Sequence, residues 1–175
     1  MRLFFALQLS EEAKARLRPA LAGIARTDQL HFTLAFLGEQ PETSLPRLHE
    51  AGQAVRVPEF DLAIGGTGAF PNLHRPRVLW LGVMEGAEQL CAVAEQLRGA
   101  LLERGFSLED RPFRPHLTIA RVKDRAGAKS LEKVPQGELA RTKAGEICLV
   151  HSVPGKGGAR HTVLRAFPLG RAGSP

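Results

Sequence analysis

The chain contains one four-residue pattern twice: a histidine, an apolar residue, a threonine and a second apolar residue. The first copy is HFTL at residues 31–34, and the second is HLTI at residues 116–119. Alternate residues of a β-strand face the same side. Each copy therefore predicts a strand with histidine and threonine on one face and apolar anchors on the other. The fold must accommodate two strands of this kind.

The segments before the two copies have the same order, a strand followed by a helix. Residues 3–9 and 78–83 are predicted strands, and residues 10–24 and 87–104 are predicted helices with apolar residues at helical spacing. This order indicates an internal repeat of 85 residues and an α+β fold with two similar lobes. Two like sheets that face each other would leave a cleft. Residues 1–175 are expected to form one two-lobed domain.

The rest of the chain is predicted from turn residues and short apolar runs. Gly- and Pro-rich segments indicate loops, and alternating apolar residues indicate strands. We expect a helix over 45–55, a strand over 60–64, a loop over 65–76, a polar loop with a short helix over 123–142, and two final strands over 146–153 and 162–169 that flank a PGKGGAR turn.

The charge balance predicts an anionic partner. Lysine and arginine total 24 against 18 acidic residues, which gives a net charge of +6 and a pI near 10.0. RNA or a phosphate ester fits this charge, although a solvated basic surface would give the same total.

Cys91 and Cys148 lack metal-ligand spacing and favour a reducing compartment. The apolar segments are too short for a membrane span. We expect a cytoplasmic monomer.

The two motifs together supply the groups that transfer a phosphodiester without a metal. Histidine titrates near pH 6.5, so His31 and His116 can act as a general acid and a general base. The hydroxyls of Thr33 and Thr118 can donate hydrogen bonds to phosphoryl oxygens. A zinc site would need three or four clustered ligands, and neither motif has a second ligand beside it. We expect neither a metal nor another cofactor.

Basic residues near the second motif are candidates for substrate binding. Arg114 has the same strand parity as His116, whereas Arg121 has the opposite parity and would need a bulge to reach the same face. His74 lies in a loop that could border the cleft. The other histidines are interpreted as surface or structural residues, and PGKGGAR as a hairpin turn rather than a phosphate loop, because no helix follows it.

Three segments carry a resemblance to a known family: LHFTLAFLGE, PRVLWLGV and FRPHLTIARV. They resemble the RNA 2′,3′-cyclic phosphodiesterases, also called 2′-5′ RNA ligases, of the two-histidine phosphoesterase superfamily. The resemblance implies a bilobal fold with an antiparallel sheet in each lobe and helices outside. It implies hydrolysis of a terminal ribose 2′,3′-cyclic phosphate to a 2′-phosphate, and reversible 2′-5′ joining of RNA ends without ATP or metal.

The resemblance also assigns roles within the motifs. It places the catalytic pair on His31 and His116, with His116 as the base and His31 as the acid. The expected partner is RNA with a 2′,3′-cyclic phosphate end, and tRNA fragments are candidates. One departure is that Arg160 and His161 stand where the family pattern has a tyrosine, and the chain contains no tyrosine at all.

Two other functions remain open from the sequence. The first is a cyclic phosphodiesterase that acts on a small nucleotide or sugar. The second is a module that binds RNA ends without turnover. A pure binding module has no need for two titrating groups, so the paired histidines favour an enzyme.

Overall fold

Two four-stranded antiparallel β-sheets and four α-helices make up residues 1–170, the part of the chain that the computed structural model describes. The strands are β1 (Arg2–Gln8), β2 (His31–Glu39), β3 (Phe60–Phe70), β4 (Val78–Glu85), β5 (Leu117–Arg121), β6 (Glu138–Ala144), β7 (Glu146–Val153) and β8 (Arg160–Pro168). The helices are α1 (Glu11–Ala20), α2 (Leu45–Gln53), α3 (Ala87–Glu103) and the short α4 (Arg125–Ala128).

The strands form the sheets β2-β1-β7-β8 and β5-β4-β3-β6. This confirms the predicted α+β class with an antiparallel sheet in each lobe. The lobes are not consecutive halves of the chain, because β7 and β8 return to complete the first sheet. The free side of β1 explains this return: β1 is an almost fully buried strand, and β7 pairs with it opposite β2. The edge strands β2 and β5, which carry the two motifs, lie next to each other.

Helix α1 begins at a residue that satisfies its first free amide groups. The Ser10 side chain accepts a hydrogen bond from the amide of Ala13 at 3.1 Å, and two glutamates occupy the first turn, where the helix dipole favours acids. The apolar pattern extends to residue 24, and Pro19 within it predicts a kink or a shorter helix. The helix ends at Ala20, with Pro19 in its last turn.

Two segments predicted as loops are strands. Strand β3 continues through the glycine-rich stretch to Phe70, and β6 occupies the end of the segment predicted to be polar loop. The glycines allow this because they let neighbouring groups approach closely. A Cβ at Gly65 would lie 2.2 Å from the carbonyl oxygen of Gly137, and one at Gly68 would lie 2.1 Å from the Trp80 ring. Glycine here marks close packing rather than a turn.

One continuous apolar core joins residues of both sheets and of the helices. Phe5 and Phe32 of the first sheet and Leu79 and Leu117 of the second are fully buried within it. A small second cluster, formed by Phe4, Ala6, Cys148 and Val150, covers the opposite face of the first sheet. The first sheet therefore has apolar residues on both faces.

Within residues 1–170, no helix has the length and apolar character that crossing a membrane requires.

Candidate active site

The first motif holds its histidine ring through a backbone carbonyl group. Nδ1 of His31 lies 2.8 Å from the carbonyl oxygen of Gln29, two residues earlier. A carbonyl oxygen only accepts hydrogen bonds, so Nδ1 carries a proton and donates it. The neutral ring then has a bare Nε2 that can accept a proton. Thr33 follows on the same strand face, opposite Ala6 of β1.

The second motif repeats this arrangement. Nδ1 of His116 lies 2.6 Å from the carbonyl oxygen of Arg114, again two residues earlier. Thr118 lies opposite Trp80 of β4. The two imidazoles therefore share one tautomer, and each leaves Nε2 available for proton transfer. Sequence parity predicted the common face of each histidine and threonine, but the carbonyl partners became visible only in the structure.

Two adjoining cavities connect the motifs. A cavity of about 660 Å³ is lined by His31 and His161, and one of about 770 Å³ is lined by His116. Both cavities are also lined by residues from the two motif strands, namely Thr33, Phe36, Thr118 and Arg121. The two threonines thus lie between the two histidines. The structure brings all four motif residues to one cleft.

A bulge explains how Arg121 reaches the cleft against its sequence parity. Thr118 pairs with Trp80 and Arg121 pairs with Val78, with an irregularity in register between Leu79 and Trp80. Trp80 and Val78 are two residues apart on β4 and share a face, so the bulge puts Thr118 and Arg121 on that face too. Arg121 is an exposed cation beside the motif threonines.

The first sheet has the corresponding bulge. Thr33 pairs with Ala6 and Phe36 pairs with Phe4, and the register shifts between Phe5 and Ala6. Phe36 consequently faces the cleft with Thr33, three residues after it, in the position that Arg121 takes in the other lobe. Its side chain is 46% exposed, and the Arg2 guanidinium lies 5.1 Å from the ring centroid. The sequence interpretation did not single out Phe36, because unbroken alternation points it away from Thr33.

Each motif histidine also contacts a phenylalanine. The ring centroid of Phe4 lies 5.0 Å from that of His31, and the centroid of Phe70 lies 4.9 Å from that of His116, edge to face. Apolar rings at these positions restrict the imidazole orientations. Sequence reasoning missed both residues, Phe70 because its segment was interpreted as a loop.

The predicted arginines and other histidines occupy different places. Arg114 lines the cavity of His116, beside Arg121. His74 lies in a separate cavity, and His49 contacts the Arg165 side chain at 3.2 Å. His161, which was interpreted as structural, instead lies in the cleft with its ring centroid 5.1 Å from that of His31. The structure therefore places the His161 ring in the cleft, next to the rings of Phe4 and His31.

The PGKGGAR segment joins β7 to β8 as the predicted hairpin turn. The amide of Gly158 donates to the carbonyl oxygen of Gly155 at 3.2 Å, which closes the turn. Both glycines also line the cavity of His31. The turn therefore forms one wall of the cleft, which the sequence interpretation did not anticipate.

Burial is the main influence on the pKa values of the two histidines on the His31 side of the cleft, His31 and His161. Desolvation lowers the pKa of His31 below its ordinary 6.5, and the Gln29 carbonyl partly opposes this effect. The neighbouring His161 lowers the His31 pKa further, since two adjacent imidazolium ions repel each other. Desolvation also lowers the pKa of His161.

Residues 1–170 contain no group of three histidine, cysteine or carboxylate side chains placed to hold a metal ion.

Residues 3–155 match the family model of the 2′-5′ RNA ligase superfamily. The chain belongs to this superfamily. It is 31% identical over 176 residues to the Escherichia coli protein named RNA 2′,3′-cyclic phosphodiesterase, covering 96% of each chain. It is 34% identical over 139 residues to the Aeropyrum pernix protein of the same name, covering 76% of this chain and 78% of that one.

Two solved structures are similar to this fold. TT0787 of Thermus thermophilus superposes with a TM-score of 0.76 at 34% identity, over 98% of this chain and 99% of that one. Escherichia coli LigT complexed with 3′-AMP gives a TM-score of 0.79 at 29% identity, over 96% and 97% of the two chains. The family expected from the three quoted segments and the bilobal fold that it implied are both confirmed.

Proposed function

We propose that this protein hydrolyses the 2′,3′-cyclic phosphate at RNA ends to a 2′-phosphate. The observation that carries the proposal is the pair of imidazoles with the same fixed tautomer, one on each side of the threonines. His31 and His116 can exchange protons through Nε2 at two oxygens of one phosphoryl group. The relatives named RNA 2′,3′-cyclic phosphodiesterase support this substrate class.

The reaction needs one proton acceptor and one proton donor. Nε2 of His116 accepts a proton from water as the water oxygen attacks phosphorus. The bond from phosphorus to the ribose O3′ breaks, and Nε2 of protonated His31 gives its proton to O3′. The phosphate remains on O2′. The products are a free 3′-hydroxyl and a 2′-phosphate, and the two histidines have exchanged protonation states.

The other cleft residues stabilise charge and hold the RNA end. The hydroxyls of Thr33 and Thr118 donate to the non-bridging oxygens, where negative charge increases in the transition state. Arg121 and Arg114 add positive charge on the His116 side. Phe36 offers an exposed ring on the other side, with the guanidinium of Arg2 over it. This combination of an aromatic surface and cations suits a nucleotide.

The same site supports ligation when a 5′-hydroxyl replaces water. The hydroxyl oxygen attacks phosphorus, O3′ leaves as before, and a 2′-5′ phosphodiester forms. No ATP is required, because the cyclic ester is itself the activated phosphate. The step is reversible for the same reason: one phosphodiester is exchanged for another.

Metal independence follows from this assignment of roles. Proton transfer by the histidines and charge stabilisation by Thr33, Thr118 and Arg121 account for the tasks that a metal ion would otherwise perform. We expect turnover to survive EDTA. Loss of turnover with EDTA and recovery with a divalent ion would contradict this part of the proposal.

A turnover assay separates the candidate functions. We expect hydrolysis of a short RNA with a 2′,3′-cyclic phosphate end, including a tRNA fragment, with kcat/KM above that for 2′,3′-cyclic nucleotides. A preference for the small nucleotide would favour a small-molecule enzyme. Binding of RNA ends without hydrolysis would favour a binding module.

Two further parts of the proposal concern the assembly and the compartment. Sedimentation of the active species should give a monomer. The free thiols of Cys91 and Cys148 favour a reducing compartment, the cytoplasm.

A substrate with sulfur in place of O3′ tests which histidine is the acid. A thiolate is a better leaving group than an alkoxide and needs little protonation. The substitution His31→Ala should therefore be largely rescued on this substrate, whereas His116→Ala should not. Rescue of His116→Ala alone would reverse the two roles.

A further inference from the structure

A third histidine lies in the cleft. His161 projects from β8, and its ring centroid lies 5.1 Å from that of His31 and 5.2 Å from that of Phe4, edge to face in both cases. His161 also lines the cavity of His31. The mechanism above does not use this residue, and the family pattern does not predict a histidine here.

The two ring nitrogens of His161 are in different surroundings. Nδ1 is buried and makes no hydrogen bond with any group among residues 1–170. A proton on Nδ1 would be a buried donor without a partner, which is costly. The ring edge at the cavity must then carry the proton, on Nε2. Burial also lowers the pKa of His161, which favours the neutral ring.

His161 and His31 therefore have opposite tautomers. His31 holds its proton on Nδ1 against the Gln29 carbonyl and leaves Nε2 free to gain or lose one. His161 has its proton on Nε2 and no free acceptor at the cavity. One ring is suited to move protons, and its neighbour is suited only to donate a hydrogen bond.

We propose that His161 is a substrate-binding residue whose Nε2–H donates a hydrogen bond to a non-bridging oxygen of the phosphoryl group beside His31. This inference rests on the proposed function, since it names a further contact of the same site. The ligand class is a phosphate mono- or diester anion. A neutral donor suits this place, because a second cation beside His31 would oppose its protonation.

Two substitutions of similar size test the contact. His161→Gln keeps an N–H donor at about the position of Nε2, whereas His161→Phe keeps the ring against Phe4 and His31 and removes the donor. A hydrogen bond to a charged group is worth about tenfold to a hundredfold in affinity. We expect His161→Phe to raise KM and the Kd for inorganic phosphate by about tenfold or more, and His161→Gln to change each by less than about threefold.

The control is His49→Gln in helix α2, whose ring contacts Arg165 and lies outside both cleft cavities. It should leave KM and the phosphate Kd unchanged. Titration with inorganic phosphate needs no turnover. If the wild-type protein fails to hydrolyse the cyclic ester, the proposed function fails, while the phosphate titration still decides the role of His161.

Imidazole ¹⁵N chemical shifts of the wild-type protein provide a measurement that needs no variant. We expect His161 to show a bare Nδ1 and a protonated Nε2, and the Nε2 signal to shift when inorganic phosphate is added. A protonated Nδ1 would overturn the proposal. So would wild-type phosphate affinity in folded His161→Phe, or equal loss of affinity in the Gln and Phe variants.

Discussion

At the scale of single residues, each motif histidine takes its tautomer from a carbonyl group two positions earlier in the chain. His31 uses Gln29 and His116 uses Arg114. The carbonyl is a backbone group, so each hydrogen bond is independent of the side chain at position 29 or 114. A general acid or base must keep its reacting nitrogen aimed at the substrate, and the fixed Nδ1 does this without a carboxylate partner.

Removing either imidazole should abolish most turnover. We expect His31→Ala and His116→Ala each to lower kcat by about 10²-fold or more, because each removes one proton-transfer step. Thr33→Val and Thr118→Val should lower kcat less, since each removes one neutral donor and leaves the pair of histidines intact. Single-turnover rates on cyclic-phosphate RNA measure this. Wild-type rates in either alanine variant would contradict the assigned roles.

The lowered pKa of His31 predicts a difference between two pH profiles. His31 must be protonated to act as the acid, so one limb of the pH profile reports its pKa. In the free enzyme, burial puts that limb of kcat/KM below about pH 6.5. A bound phosphodiester anion stabilises the imidazolium and raises its pKa. The limb that reports His31 should therefore lie at higher pH in the profile of kcat than in that of kcat/KM.

Steady-state kinetics between about pH 5 and 9 measure this shift. Coincident limbs in the two profiles, with chemistry rate-limiting, would contradict a titrating His31 beside the bound phosphodiester.

At the scale of secondary structure, the bulges decide which residues join the motifs. Strict alternation predicted the common face of His31 and Thr33, because a strand has a period of two. It could not predict that Phe36 and Arg121 turn to that face, since a bulge depends on pairing with the neighbouring strand. Local sequence specifies the motif, and strand pairing specifies its surroundings. The place of His161 was missed for a related reason: only the folded sheet brings its ring together with those of Phe4 and His31.

The contact of Gly68 with Trp80 connects strand packing to the site. A Cβ at Gly68 would lie 2.1 Å from the indole ring, and Trp80 packs on Phe70, which contacts His116. We expect Gly68→Ala to lower the free energy of unfolding by about 1–3 kcal/mol and to lower kcat as the indole is displaced. Urea denaturation and single-turnover kinetics measure the two effects.

Gly99 is the matched control for this substitution. It lies within helix α3, and a Cβ there would meet nothing within 4 Å. Gly99→Ala should raise the free energy of unfolding by about 0.5–1 kcal/mol, because alanine loses less backbone entropy in a helix. If both alanine variants had equal stability, close packing at Gly68 would not be the cause.

At the scale of the whole molecule, the continuous core predicts cooperative unfolding. Apolar residues of both sheets belong to one cluster, and the chain returns to the first sheet after completing the second. We propose that residues 1–175 unfold as one two-lobed domain. Fluorescence of Trp80, the single tryptophan, reports on the second sheet, and far-UV circular dichroism reports on both. The two urea transitions should coincide, whereas separate midpoints would indicate independent lobes.

The histidines also make the stability of the folded molecule depend on pH. Burial lowers the pKa values of His31, His49 and His161 below 6.5. As the pH falls through 6.5, the unfolded chain therefore binds more protons at these positions than the folded protein does. The free energy of unfolding then decreases as the pH falls, by linkage. The lowered pKa values of Asp28 and Glu85 extend the same trend below about pH 4.5.

Urea denaturation at pH 7.5 and pH 5.5 measures the histidine part of this trend. We expect a lower midpoint at pH 5.5, although the general rise in positive charge also contributes to that loss. The double variant His31→Gln/His161→Gln separates the two causes, because it removes two of the titrating groups and leaves the rest of the surface charge unchanged. Its midpoint should fall less between the two pH values than that of the wild-type protein. An equal fall would show that the buried imidazoles do not set the acid sensitivity of the fold.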